Sequence, residues 1–199
     1  NTAVGFESLC ANTTASCNTV VGKSAMAATT TGCRNVAVGA GALKTNTTGD
    51  ANVAIGREAL GVATTADNNT SVGFDSLQAN TTGANNTAVG KDALFANTTG
   101  AQNVAIGASA ACSLTTAGSV TVIGHNAFSA STTGGETVAI GDNAMECNTT
   151  GCRNVAIGNG TMFKNTTGKC NTAVGRIALY NNSTGCYNTA FGHAALNAS

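Results

Sequence analysis

The chain has 199 residues, nine Lys and Arg against nine Asp and Glu, no Pro and no Trp. With only 9% of residues charged and 4% aromatic, it has no basic surface for nucleic acid or anionic lipid and too few large side chains for a thick globular interior. No apolar run reaches the length of a membrane-spanning helix. Hydrophobic content is 42%, much of it Ala, so the interior is expected to be thin. No Met start and no secretory leader are visible, and the chain reads as a mature piece of something longer.

The organisation is an internal repeat, sought first because it decides the whole fold. Gly5, Gly22, Gly39, Gly56, Gly73, Gly90, Gly107, Gly124, Gly141, Gly158, Gly175 and Gly192 follow one another at intervals of 17 residues without insertion or deletion. The consensus is N-[TV]-A-[VI]-G-x-x-A-L-x-x-N-T-T-G-x-x. Coils therefore start at residues 1, 18, 35, 52, 69, 86, 103, 120, 137, 154, 171 and 188, and residues 1–199 form one continuous domain. Positions are numbered within the coil from the first Asn.

Each coil opens with an alternating segment, N-[TV]-A-[VI]-G, which reads as a short strand. Positions two and four share one of its faces, one and three the other. Position four is apolar in every coil, and its Val4, Val21, Val38, Ile55, Val72, Val89, Ile106, Ile123, Ile140, Ile157 and Val174 are expected to stack inward. Gly at five ends the strand at a corner that only Gly adopts cheaply. Position nine then enters the same interior from the far wall, as Leu9, Leu43, Leu60, Leu77, Leu94 and Leu179. N-T-T-G at twelve to fifteen is a second short extended piece ending in a turn. All eighteen charges fall at positions six, seven, ten, eleven, sixteen or seventeen; unpaired charge is costly to bury, so these are the wet corners.

A unit of this length is too short for the helix pairs of α-repeats. The expected fold is all-β, a single-stack parallel β-solenoid (β-roll) of twelve coils about 4.8 Å apart, a rod of roughly 55 Å. Like residues lie over like. One coil cannot bury enough to offset its own ordering entropy, so stability comes from neighbouring coils. The Asn column at position one and the Thr columns at thirteen and fourteen are placed to form side-chain hydrogen-bond ladders. The small residues at three and five form a smooth wall that would accept a second solenoid closely.

The motif N-V-A-I-G, at Asn52–Gly56, Asn103–Gly107 and Asn154–Gly158, resembles the head repeat of trimeric autotransporter adhesins of the YadA type. The longer N-T-A-V-G-x-x-A-L-x-x-N-T-T-G, at Asn86–Gly100, is similar to repeats of phage tail-fibre and bacterial surface proteins. The resemblance covers the whole chain and implies a parallel β-roll, often trimeric, on a cell or virion surface. The adhesin repeat is shorter than this one and poorer in Cys, and neither family contributes a catalytic residue.

Eight Cys in an Asn- and Thr-rich chain point to an oxidising, extracellular setting with disulfides. Cys17 and Cys33 are one coil and one residue apart, an offset within disulfide reach, and Cys170 and Cys186 repeat it. Cys152 competes for Cys170, or pairs with Cys147 across the N-T-T-G turn. Cys10 reaches Cys17, and Cys112 has no evident partner. Sequons recur at Asn12, Asn46, Asn80, Asn97, Asn148, Asn165 and Asn182. They read as glycosylation sites or as turn and ladder geometry imposed by the repeat.

No cofactor, metal or catalytic set is expected. His125 and His193 share position six four coils apart, too far to share a metal. The expected function is an extracellular structural protein, a filament, fibre or surface stalk in which the chain is its own partner, head-to-tail or laterally. The alternative is a cell-surface adhesin or phage tail-fibre binding module, whose site would break the repeat near Phe6, Phe74, Phe95, Phe163, Tyr180 or Tyr187. A further alternative is ice binding by the stacked Thr.

Overall fold

The computed structural model describes residues 1–197. It is a β-solenoid: twelve three-residue strands, from β1 (Thr2–Val4) and β2 (Thr19–Val21) to β12 (Thr189–Phe191), form one parallel sheet in chain order. Register follows the repeat, with Thr2 beside Thr19, Ala3 beside Val20 and Val4 beside Val21. The corner glycines lie in a column. A Cβ at Gly107 (φ +132°) would stand 2.5 Å from the carbonyl oxygen of Gly124, and the same crowding recurs from Gly5 to Gly175. Coil can pass over coil here only without side chains.

Backbone hydrogen bonds run between coils well outside the strands. Leu43 N–H donates to Ala59 O at 3.0 Å, Thr47 N–H to Thr64 O at 2.9 Å and Ala51 N–H to Cys33 O at 3.0 Å. Two tight turns close each coil, for example Ala42 N–H to Gly39 O and Asn46 N–H to Leu43 O. The turns drive positions seven, nine and seventeen into the left-handed region, with Leu60 at φ 51° and Glu58 at φ 53°. A left-handed Leu costs about 1–2 kcal/mol. Its full burial, worth about 1.5–3 kcal/mol, offsets that cost, which is why the largest apolar residue of the coil tolerates it.

The strand faces opposite to the sequence expectation. Position three is inside: Ala37, Ala54, Ala88, Ala105, Ala139, Ala156 and Ala173 have no exposed surface. The column running from Val4 through Val21, Val38, Ile55, Val72, Val89, Ile106, Ile123, Ile140 and Ile157 to Val174 points outward, and none of its members is buried. Volume is the reason. The interior is one side chain thick and already holds the fully buried Leu43, Leu60, Leu77, Leu94 and Leu179, with Leu9 at its end. Facing them, positions three and eight carry small groups, Ala or Ser in most coils and nothing larger than Val20, Val122 and Thr161, because interiors are packed to crystal density. The one coil with Ser at both positions shows that they meet: Ser71 Oγ lies within hydrogen-bonding distance of Ser76 Oγ and donates to Ser76 O at 2.8 Å.

Asn at position one shares the inward face. Its carboxamide does two jobs: Asn35 Oδ1 accepts the N–H of Asn52 at 2.9 Å, while Asn35 Nδ2 donates to Gly49 O at 2.9 Å. A second internal Asn column stands at position twelve, where Asn97 Nδ2 bonds Asn80 Oδ1 at 2.9 Å and Gly100 O at 3.0 Å. Most buried polar groups are bonded in this way; Thr29 Oγ1 and Asn97 Oδ1 are exceptions, buried without a partner. Every charged residue remains at least partly exposed, and the surface ion pairs, such as Arg34–Asp50 at 3.1 Å, are worth at most about 1 kcal/mol.

Candidate interaction surface

The outward face of the sheet is the most distinctive surface of the molecule. Thr or Val at position two and Val or Ile at position four project from it in two parallel columns. Neighbours in a column cover each side chain from above and below, so exposure settles near 40%, as at Ile55 (40%) and Ile106 (39%). Val4, with a neighbour on one side only, rises to 58%. No charge lies anywhere in positions one to five. Twelve strands at about 4.8 Å spacing and about 3.3 Å per residue give a footprint of roughly 500 Å². The Val/Ile column there is bordered by a second column that is Thr in seven of twelve coils, and a patch of this size is the largest of an ordinary monomer and often a functional one.

The Thr-bearing wall at positions thirteen and fourteen is less suited to docking. Hydroxyls at position thirteen are taken up by the backbone: Thr47 Oγ1 donates to Thr64 O at 3.0 Å and Thr98 Oγ1 to Thr115 O at 3.1 Å. Position fourteen is exposed throughout. The two Thr columns therefore do not present one double row of free hydroxyls.

Six sequon residues lie inside. Asn46, Asn80, Asn97, Asn148, Asn165 and Asn182 are buried, and each Nδ2, the atom a glycan would occupy, donates to the Gly carbonyl three residues on. Asn12, in the first coil, is half-buried. These contacts are turn and ladder geometry of the kind the fixed repeat position suggests.

The cysteines line the corners. All eight are free thiols, so neither Cys17–Cys33, Cys170–Cys186 nor Cys147–Cys152 is bonded here. Cys33 and Cys186 sit at position sixteen, where a side chain reaches back to the amide of the preceding coil. Cys33 Sγ accepts from Ser16 N–H at 3.3 Å and Cys186 Sγ from Lys169 N–H at 3.3 Å. The carboxylates of Asp50 and Asp67 do the same for Cys33 N–H at 2.6 Å and Asp50 N–H at 2.7 Å. This capping role of position sixteen was not visible in the residue pattern, because Cys and Asp share it only through geometry. Cys152 and Cys170 are joined through backbone, Cys170 N–H to Cys152 O at 3.2 Å. Burial, helped by the charge of Glu146 and opposed by Lys164, pushes the Cys147 thiol above its usual pKa.

Other chemistry is sparse. His125 Nδ1 stands 3.1 Å from Asp142 Oδ1, and His193 stands beside Arg176 at 3.4 Å, both exposed. Among the described residues no group of three or more His, Cys, Asp or Glu is placed to hold a metal ion, and no helix is long and apolar enough to cross a membrane. Compared with family models, curated proteins and solved structures, the chain has no significant match.

Proposed function

We propose that the chain is an extracellular structural protein, part of a filament, fibre or surface stalk, in which solenoids associate with copies of themselves. The observation that carries this reading is the uncharged outward Val/Ile column on a twelve-stranded parallel sheet. A second copy is the partner whose surface has the same repeat, so side chains at positions two and four interdigitate along the whole length as in a dry sheet-on-sheet interface. Two such faces would bury about 1,000 Å² in all, the size at which specific interfaces begin, and the area grows with every added coil. The strand ladder supports axial growth too. β1 and β12 each pair on one side only, and any further coil of this repeat, from the same chain or another, continues the ladder in register. The Asn- and Thr-rich composition and the Cys content favour an extracellular, cell-surface or virion-surface location. The reading assigns no catalytic role and no cofactor.

The test is sedimentation velocity with electron microscopy on the purified chain. Laterally paired or filamentous particles are expected, and Ile55→Lys with Ile106→Lys should disperse them without loss of β-structure by circular dichroism. A monodisperse single solenoid at all concentrations would overturn the reading. A binding-module reading, as an adhesin or tail-fibre segment, is favoured by one separate feature: a break in the corner side chains at the fifth to seventh coils.

A further inference from the structure

The corner carrying positions six to eleven is not uniform. Between the fifth and seventh coils it opens into a cleft of about 570 Å³, lined by Phe74, Asp75, Lys91, Asp92, Phe95 and Ser109 among others. The cleft exists because the seventh coil carries Ala108, Ser109 and Cys112 where the sixth carries Lys91, Asp92 and Phe95. Removing that bulk leaves Phe95 without a neighbour of its own kind. Elsewhere in the same column Phe163 and Tyr180 cover each other, stacked at 5.2 Å with rings 5° from parallel. Phe95 stands between Gln78 and Cys112 and remains 39% exposed. Phe74 is covered by Arg57 at 5.2 Å and is still 40% exposed.

The polar lining is mixed and held on rigid backbone. Asp92 N–H donates to Phe74 O at 3.0 Å, Ser109 N–H to Lys91 O at 2.9 Å and Ala96 N–H to Cys112 O at 2.9 Å. Asp75, Asp92 and Ser109 occupy successive levels of one column, about 4.8 Å apart. Lys91 Nζ pairs with Asp92 at 3.4 Å, while the Asp75 carboxylate has no hydrogen-bond or ion-pair partner among the described residues. Charge selects only weakly here: Lys91 is taken up by Asp92, and the one remaining exposed carboxylate, Asp75, offers a cation no more than about 1 kcal/mol. A polyol uses every group present: its hydroxyls donate to the carboxylates and accept from Lys91 and Ser109, while a face of ring C–H groups lies on Phe95. A cleft of this volume lies within the usual range for small-ligand sites.

We propose that this cleft is a binding site for a neutral carbohydrate, one or two pyranose rings resting on Phe95 with Asp75 as the principal hydrogen-bond acceptor. The proposal stands apart from self-assembly, since the cleft lies on the corner and the Val/Ile columns on the sheet. The experiment is an NMR titration of the intact chain with cellobiose, lactose, chitobiose and maltotriose, each at millimolar concentration. Shifts confined to the amides of the fifth to seventh coils are expected with at least one of them. Phe95→Ala and Asp75→Asn should each weaken that binding by about tenfold, the scale of one aromatic or hydrogen-bonded contact, while circular dichroism stays unchanged. Absence of shifts with all four sugars would overturn the proposal. So would tighter binding of arginine or of inorganic phosphate at the same amides, since either would show that the cleft selects charge.

Discussion

Two columns of the same coil, Leu at position nine and Val or Ile at position four, are equally apolar in sequence and meet opposite fates. Leu43, Leu60 and Leu77 have no exposed surface, whereas Val38, Ile55 and Ile106 keep 36–40% of theirs. Hydrophobicity does not separate them. The difference is that the interior is thin and the position-nine column takes most of its volume, leaving room beside it for Ala and, in the second and eighth coils, for Val20 and Val122. Each coil then turns its small residue, Ala at three, toward that column, and period-two geometry sends position four outside. The outward column is left as a surface that assembly has to cover.

That contrast can be broken most severely at the inner column. Leu60→Ala should cost about 3–5 kcal/mol, the range for a large core side chain replaced by a cavity, read as a shift in the denaturant midpoint at constant slope. Next comes the Asn column. Asn52→Ala leaves the Asn69 N–H and the Ala66 carbonyl without their side-chain partner, bonds of 3.0 and 2.7 Å, and should cost about 2–3 kcal/mol on the same scale. Position three sharpens the volume argument. Ala54→Leu should lose about 1–3 kcal/mol through overpacking, whereas Ala54→Val should be close to neutral because Val20 and Val122 already occupy that position buried. The smallest effect belongs to the outer column. Ile55→Ser should change unfolding of the isolated chain by about 0.5 kcal/mol or less, the usual range for a surface substitution, while weakening self-association in the sedimentation assay. If Ile55→Ser were as costly as Leu60→Ala in isolated chains, the outward assignment of position four would fail.

Legibility differed by residue for physical reasons. The seventeen-residue period, the alignment of Gly5 through Gly192 and the inward Leu could be read directly, because each is a demand the coil makes on every copy. Alternation at Asn52–Gly56 establishes that positions two and four share a face, but alternation is symmetric and does not say which face is inside. The clue lay in the smallness of position three, Ala or Ser in ten of the twelve coils, and in the paired Ser71 and Ser76, which occur in one coil and meet in the core. The sequon Asn46 and Asn97 look like surface acceptors in sequence, and only the path of the coil buries them. The corner cleft was hidden because Phe74 and Phe95 are 21 residues apart and appear scattered until the coils are stacked.

The sequence alone therefore settled the repeat, the coil boundaries, the parallel solenoid and the wet corners, since Gly spacing, strand alternation and the cost of burying charge act locally and identically in each unit. Which side of the strand faces in, where the cysteine sulfurs point and which distant side chains share a cleft were decided by tertiary structure. Those outcomes depend on how much volume opposing walls leave between them and on which residues stacking brings to the same level, and neither quantity is carried by a single coil.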